Sequence, residues 1–479
     1  MTASCVRRLP VIATPLAFAL LLGGCAVTRV DPPAPAPAPA QFKETALWQR
    51  APSSTVTTVP DEWWTLFNDP VLNELQSRLV IGNENLKSAV AQVASARAEL
   101  GASRAAQLPT LSAGLSGSRS DSGSQTSSSS NQRGPQNSVS VSATAAWELD
   151  LWGRLSQATS GSEARYQASV ADLASARLSA QATLAQTYLA MRTAEAQQAL
   201  IERSIAGYQR SLDLTQARYQ SGVAAQTDVL QAQTQLKTAQ VQGLEAATQR
   251  AQLEHALAVL LGQTPSAFSI AVNAALPQAP EVPTVLPATL LERRPDIAAA
   301  QQRVNAAYAQ IGMADAAFFP ALTLSATAGY RNNSLSNLLS APNLFWSIGP
   351  ALAQTLLDGG ARRAASDQAR ANADLATSTY RQTVLTAFQE VEDNLVLASQ
   401  LRAEAQLQQD ALQYAQRNLD ITNEQYRVGT VSYLNVVTAQ TSALSSERTL
   451  LDVRNRQLAA VNQLLKNIAG RWQDTAKAQ

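Results

Sequence analysis

The chain has almost none of the residues that carry catalytic or metal chemistry. Of 479 residues, two are cysteine, one is histidine and three are methionine, the initiator among them. A lone His255 excludes the paired-histidine HExxH motif, and no Cys–His set exists for zinc or for nucleophilic catalysis. Methionine-based handling of copper or silver is equally unsupported. No glycine loop of the phosphate-binding type occurs, so neither an enzyme nor a cofactor is expected. His255 lies in a Gln/Leu-rich run and reads as packing or surface. Net charge is nearly absent: 37 basic residues stand against 36 acidic ones, a balance that points to no nucleic-acid or polyanionic partner. The apolar run Val11–Leu22, about a dozen residues, falls short of the ~20 needed for a membrane-spanning helix.

That short run, preceded by Arg7 and Arg8, suits the apolar core of a secretory signal. It ends in Leu22-Gly23-Gly24-Cys25, which resembles the lipobox of bacterial lipoproteins. Small residues there let a peptidase approach the backbone, and the Cys25 thiol takes the lipid. The expectation is a signal peptide over 1–24 and a covalent lipid on Cys25. Position 26 is alanine, not the aspartate that retains such lipoproteins at the inner membrane, which favours sorting to the outer membrane. Removing the signal also removes Cys5, Arg7 and Arg8, leaving 35 basic residues against 36 acidic and no free thiol. Residues 25–60 then form a tether, of which Asp31–Ala40 alternates proline and alanine and is semi-rigid and extended.

Proline is absent from Gln136 to Thr264 and again from Ala351 to Gln479. Both stretches are rich in Ala, Gln, Leu, Glu and Arg, which favour helix. Ile201, Ile205, Tyr208 and Leu212 are spaced 4, 3 and 4 apart, and Phe388, Val391, Leu395 and Ala398 are spaced 3, 4 and 3 apart. A seven-residue apolar repeat predicts helices packed with a left-handed supercoil. Gly153 and Gly222 bracket one helix of roughly 68 residues, about 100 Å long at ~1.5 Å per residue.

The chain also repeats itself. Leu108-Pro-Thr-Leu111 returns as Phe319-Pro-Ala-Leu322 and Asn85-Leu-Lys-Ser-Ala as Asp296-Ile-Ala-Ala-Ala, both displaced by 211 residues. Tyr219-Gln-Ser-Gly222 returns as Tyr426-Arg-Val-Gly429, and Gly153 as Gly360, both displaced by 207. Two copies of one plan follow, residues 61–275 and 276–479, with a net loss of four residues in the segment between the anchors, where a loop absorbs it best.

In each half the apolar period changes from about 3.6 to 2 within that segment. Leu111, Ala113 and Leu115 alternate with small residues, then Val139, Val141, Ala143, Ala145 and Trp147. The second half gives Leu322, Leu324, Ala326, Ala328 and Tyr330, then Leu344, Trp346 and Ile348. These predict β-hairpins at about 110–147 and 321–353, with the apolar-out, small-polar-in alternation of a transmembrane barrel wall and aromatic girdles at Trp147, Tyr330 and Trp346. A soluble hairpin lying on the helices has the same periodicity. The Ser/Gly-rich run Gly117–Gln136 between the first two strands reads as a loop. Four strands cannot close a membrane barrel, because the smallest use about eight, and open edges in lipid cost several kcal/mol per unpaired group. The chain must share its barrel with copies of itself; counting alone does not choose eight strands from two copies or twelve from three.

Trp63-Trp64-Thr-Leu-Phe67-Asn-Asp69-Pro70-Val-Leu72, Trp147-Glu-Leu-Asp150-Leu-Trp152-Gly153-Arg154 and Arg293-Arg294-Pro295-Asp296 resemble the NodT branch of TolC/OprM-type outer-membrane factors. The paired Tyr-x-x-Gly elements, Leu261-Gly262 and Asp358-Gly359-Gly360 share that resemblance, which runs from about Trp63 to Trp472. It implies a mainly α fold with a transmembrane β-barrel portion. The homotrimer has a twelve-stranded barrel in outer-membrane lipid above a twelve-helix periplasmic tunnel, and docks to a periplasmic adaptor (a membrane fusion protein) and an inner-membrane pump. Pro295 and Asp296 also suit the first turn of a helix, and Trp63 and Trp64 read as belt packing.

The resemblance places the periplasmic aperture at Tyr219 and Asp228 in the first half and at Tyr426, Val431, Asn435 and Thr438 in the second, with Gly222 and Gly429 as the tip turns. Asp228 keeps the family's acid. Asn435 and Thr438 stand where aspartates often form rings, and Val431 where a basic partner occurs. The implied gate is held mainly by neutral hydrogen bonds and packing, with weak cation block; strong, Asp-dependent block of single channels by multivalent cations would refute that. A type I protein-secretion duct shares this fold, and a non-conducting lipid-anchored coiled-coil scaffold remains the other class. The transported substrate is not legible.

Overall fold

A computed structural model of the chain describes residues 31–32, 42–43, 60–121, 135–281 and 294–469. The signal, Cys25 and most of the tether lie outside the described residues.

The first half contains α1 (Pro70–Gly82), α2 (Glu84–Ala105), β1 (Thr110–Ser120), β2 (Gln136–Leu149), α3 (Arg154–Gln220) and α4 (Gln226–Leu260). The second contains α5 (Pro295–Ala316), β3 (Ala321–Asn332), β4 (Leu344–Ala353), α6 (Ala361–Val428) and α7 (Tyr433–Ile468). The helix expected between Gly153 and Gly222 is α3, with 67 residues, and its counterpart α6 has 68. The stretches between strands run 15 residues in the first hairpin and 11 in the second, a difference of four that matches the change in repeat offset. Among the described residues no helix is long and apolar enough to cross a membrane.

The chain divides into two compact units. One, including residues 93–168 and 300–380, holds the strands and adjoining helix ends. Its four strands form one antiparallel sheet in the order β1-β2-β3-β4, so β2 and β3 join the two halves and β1 and β4 are edges. Helix starts in this unit are fixed by carboxylates. Asp150 accepts from the Leu155 and Ser156 amides at 3.0 and 2.7 Å at the head of α3. Asp358 accepts from the Gly360 and Arg362 amides at 3.0 and 3.2 Å at the head of α6, and from Arg362 Nε at 2.6 Å. The Arg362 guanidinium first, then those amides, lower the Asp358 pKa to about 2, below the ordinary ~3.9 of aspartate. Burial raises that of Asp150, but its bonds to Ser156 and Leu155 and the charge of Arg154 lower it on balance. A depressed folded-state pKa stabilises the fold above the unfolded value and loses that contribution as pH falls through the folded one. The two caps therefore hold above pH ~4 and release as the pH falls below it, that of Asp358 as it approaches about 2. Acid titration of helicity should lose its low-pH component in the double variant Asp150→Asn, Asp358→Asn; an unchanged titration over that window would contradict the capping role.

The second unit, including residues 35–92, 169–299 and 381–479, holds the main core. Of the eight residues expected from the spacing, Ile201, Tyr208, Leu212, Val391, Leu395 and Ala398 are buried, and Ile205 and Phe388 are half-buried against the same clusters. Trp63, Trp64 and Phe67 pack with Leu72, Leu79, Leu184, Tyr188, Leu401 and Leu465 in one cluster, so the Trp63-Trp64 pair is a packing element. Phe42 reaches the same cluster, its ring 6.0 Å from that of Phe388. Asp69 caps α1 by accepting from the Val71 and Leu72 amides, with Pro70 at the first helical position, where its missing N–H costs nothing. A β-carbon on Gly82 would meet the Leu261 carbonyl and one on Gly262 the Gly82 carbonyl, so the Leu261-Gly262 motif marks a backbone-to-backbone approach that only glycine permits.

Candidate functional site

The tips of the two long helical hairpins are built alike. Gly222 N–H donates to Tyr219 O at 2.9 Å and Val223 N–H to Arg218 O at 2.9 Å; Gly429 N–H donates to Tyr426 O at 3.0 Å and Thr430 N–H to Gln425 O at 2.9 Å. This paired pattern ends a helix when the next residue takes the left-handed conformation, and Gly222 and Gly429 have φ of +75° and +86°.

Above the turns the halves diverge. Tyr219 is 45% exposed, whereas its sequence equivalent Tyr426 is 5% exposed. Tyr426 packs with Tyr433, ring centroids 5.5 Å apart, and with Tyr208, Leu212, Leu236 and Val436; Val431 is half-buried against the same cluster. Thr215 Oγ1 lies 3.3 Å from the Tyr426 hydroxyl. Asp228 is half-buried in the first turn of α4, where a carboxylate opposes the helix dipole. Burial pushes the Tyr433 hydroxyl up to about 12, with Tyr426, Tyr208 and the Asp228 charge adding to it. Asn435 and Thr438 are exposed and, three residues apart, share a face of α7. Thr438 Oγ1 is engaged with its own helix, donating to Leu434 O at 2.9 Å.

Arg218 belongs to this site although no motif marks it. Its Nη1 donates to Tyr426 O at 2.6 Å, and its guanidinium carbon sits 4.7 Å from the Tyr426 ring centroid. A cation over the last carbonyls of α6 complements that helix's negative end, and the ring adds a cation–π contact. The tip of one chain thus contains a charged clasp between α3 and α6 beside its neutral contacts. Alongside it a groove of about 500 Å³ opens between α3, α6 and α7, with Arg203, Arg210, Asp420, Glu424, Arg427 and Glu447 on its walls.

Further from the tip, α1, α3, α4 and the segment after α4 are tied by a buried polar chain. Tyr188 OH donates to Asp69 Oδ2 at 2.7 Å and accepts from Arg192 Nε at 2.9 Å. Arg192 Nη1 reaches Glu195 at 2.7 Å and Ala271 O at 3.0 Å, and Glu195 also accepts from Arg250 Nε and Asn273 N, both at 3.1 Å. Burial opposes the Arg192 charge, but its bonds to Glu195 and Tyr188 more than offset that and raise its pKa. Burial and the bond to Asp69 likewise raise that of Tyr188. Arg294 forms a smaller clamp, donating to both Asp296 oxygens at 3.0 and 2.7 Å and to Glu390 at 2.9 Å. Pro295 and Asp296 occupy the first turn of α5, so Arg294-Pro295-Asp296 is a helix start bolted to α6. His255 is exposed, and no group of potential metal ligands occurs among the described residues.

The sheet, in the other unit, is a second candidate site. The register aligns Leu111, Ala145, Ala326 and Ile348 across all four strands, and likewise Leu115, Val141, Tyr330 and Leu344. Every apolar residue named from the alternation falls on this one face. Leu111, Leu115, Trp346, Ile348 and Leu352 are between 66 and 78% exposed on it. Trp147 lies near one end of the face, Tyr330 and Trp346 towards the other. The opposite face is hydroxyl-rich, with Ser116 Oγ 2.8 Å from Ser140 Oγ and Thr144 Oγ1 3.3 Å from Thr327 Oγ1.

The sequence model of the outer membrane efflux protein family matches residues 75–263 and 286–470, and the chain belongs to that family. It is similar to the probable efflux pump outer membrane protein TtgC of Pseudomonas putida, with 31% identity over 459 residues, 95% of this chain and 94% of TtgC. It is also similar to the pyoverdine export outer membrane protein OpmQ of Pseudomonas aeruginosa, with 30% identity over 461 residues and 95% of each chain covered. In three dimensions it resembles the outer-membrane channel OprN, with a TM-score of 0.86 and 27% identity over 93% of this chain and all of that one.

Proposed function

We propose that the chain is the outer-membrane exit duct of a tripartite efflux system, a passive conduit carrying small molecules from an inner-membrane pump and its periplasmic adaptor to the exterior. Three copies share a twelve-stranded barrel, their long helices continue it as a tunnel in the periplasm, and a lipid on Cys25 anchors each copy. The observation that carries this reading is the sheet: four strands present one continuous exposed apolar face and two edges, β1 and β4, that pair on one side only. An apolar face of that size seeks lipid or a partner, and edges in lipid must be paired. Relatives named as efflux pump outer membrane proteins favour small-molecule efflux over protein secretion. The groove of mixed charge near the tip suits a polar protein partner such as the adaptor.

The detergent-extracted protein should migrate as a trimer unless boiled and insert into planar bilayers as a conducting channel. A monomer that never conducts would leave only the scaffold. A deletion that stopped a secreted protein while leaving drug and solvent tolerance unchanged would favour the secretion duct. Replacing Cys25 by serine should abolish lipid labelling.

The gate in this reading is the tip. Arg218→Gln should loosen the end of α6 and raise single-channel conductance severalfold, whereas Asn435→Ala should change it little. Equal conductance of Arg218→Gln and wild type would remove the clasp from the gate.

A further inference from the structure

Among the described residues, the hydroxyl-rich face of the sheet contains one cation, Arg331, outside every ion pair. Arg331 is the penultimate residue of β3, in register with Ser140, on the same face as Thr327, Ser142 and Thr144. Its guanidinium carbon sits 5.0 Å from the ring centroid of Phe345, a residue of the same face on β4. Among the described residues none of the ion pairs includes it. In the sequence the stretch between β1 and β2 has Asp121 as its one acid, and residues 332–343 contain no Asp or Glu. The acid on this face is Glu148, at the far end of β2, and it is held in three bonds by Arg154 at 3.1, 2.8 and 2.7 Å. Between these ends, Phe345 apart, the face offers only hydroxyls and small side chains. Residues 116–138 and 328–346 together contain Arg119, Arg133 and Arg331 against the single acid Asp121.

We infer that Arg331, one from each of three copies, forms a cationic ring at the outer mouth of the duct that draws anions into the lumen and disfavours cations. This rests on the duct reading above, which turns the hydroxyl face inward. Three like charges around a narrow opening with low-dielectric walls focus the field and enrich counter-ions locally. The Phe345 ring holds each guanidinium on the face through the cation–π contact while leaving its N–H groups for the permeant. The duct is then polar in charge along its length: positive at the barrel mouth, with the Asp228 carboxylates at the periplasmic tip.

Full-length trimers in planar bilayers under a KCl gradient test this. The chloride-to-potassium permeability ratio should fall about twofold in Arg331→Gln, invert in Arg331→Glu and be kept in Arg331→Lys. Inorganic tripolyphosphate added on the barrel side should block wild type, and the half-blocking concentration should rise roughly tenfold in Arg331→Gln. The difference should fade at 1 M salt, where the screening length is about 3 Å. Conduction with an unchanged ratio and unchanged block in the Gln and Glu variants overturns the ring and leaves the duct standing. A change only in the number of channels inserted, placing Arg331 against the bilayer surface, also overturns it. Failure of wild type to conduct overturns the duct and the ring with it.

Discussion

Glu195→Ala should be among the most destabilising single substitutions in the chain, costing about 3–5 kcal/mol. The Glu195 side chain is fully buried and that of its partner Arg192 is 3% exposed. Removing the carboxylate strands a guanidinium out of water, and breaking a buried pair on one side costs that much because desolvation is no longer offset. It also leaves Asn273 N–H without its acceptor and frees one side of Arg250, so the segment after α4 loses its carboxylate tie to α3 and keeps the Arg192–Ala271 bond. The measurement is denaturant unfolding followed by tryptophan fluorescence, since Trp63 and Trp64 lie in the core cluster that includes Tyr188. The exposed pair Arg78–Glu74, at 49 and 59% exposure, supplies the control, because such pairs contribute roughly 0–1 kcal/mol. A Glu195→Ala shift no larger than that of Glu74→Ala would show the network to be energetically idle. The double replacement Arg192→Met with Glu195→Leu should recover much of the loss, as apolar groups of similar volume do for buried pairs.

This network was not legible in the sequence, and the reason is physical. Asp69 and Tyr188 are 119 residues apart, and nothing in composition or periodicity says that a tyrosine in the middle of a long helix donates a hydrogen bond to a helix cap. Local signals were readable. The proline-free stretches bracketed by Gly153 and Gly222 give α3, and alternating Leu111, Ala113 and Leu115 give β1, because backbone geometry and burial act over a few residues. Internal repetition carried the reading further, since α5 repeats α2 and α6 repeats α3. Repetition also misleads where the environment differs between copies. Tyr219 and Tyr426 are equivalent by spacing, yet one faces solvent and the other fills the core of the tip. Arg218 has no motif of its own and is recognisable only once α6 brings Tyr426 beside it. The pairing of β2 with β3, which joins the halves into one sheet, depends on long-range contact that neither half encodes alone.

The sharpest separation of a barrel wall from a water-exposed sheet comes from two adjacent residues of β4. Ile348 points to the apolar face, in register with Ala326, and Ser347 to the hydroxyl face, in register with Thr327. Arginine at a lipid-facing position near the bilayer midplane of a barrel costs about 2–4 kcal/mol, and at a lumen position far less. Ile348→Arg should therefore abolish the heat-resistant trimer and sharply lower its amount in outer-membrane fractions, the penalty recurring in all three copies. Ser347→Arg should assemble normally and alter conductance instead. In water the asymmetry would vanish: Ile348 is 66% exposed in the single chain, and surface substitutions of that kind change stability by roughly 0.5 kcal/mol or less. Equal assembly of the two variants would mean that the apolar face meets neither lipid nor a partner, and the duct reading would fall. Loss of assembly in both would point to crowding at the β4 edge, where the next copy's β1 must dock. Loss in Ile348→Arg alone ties the alternation of apolar and small residues along the strand to the solvent that selects it.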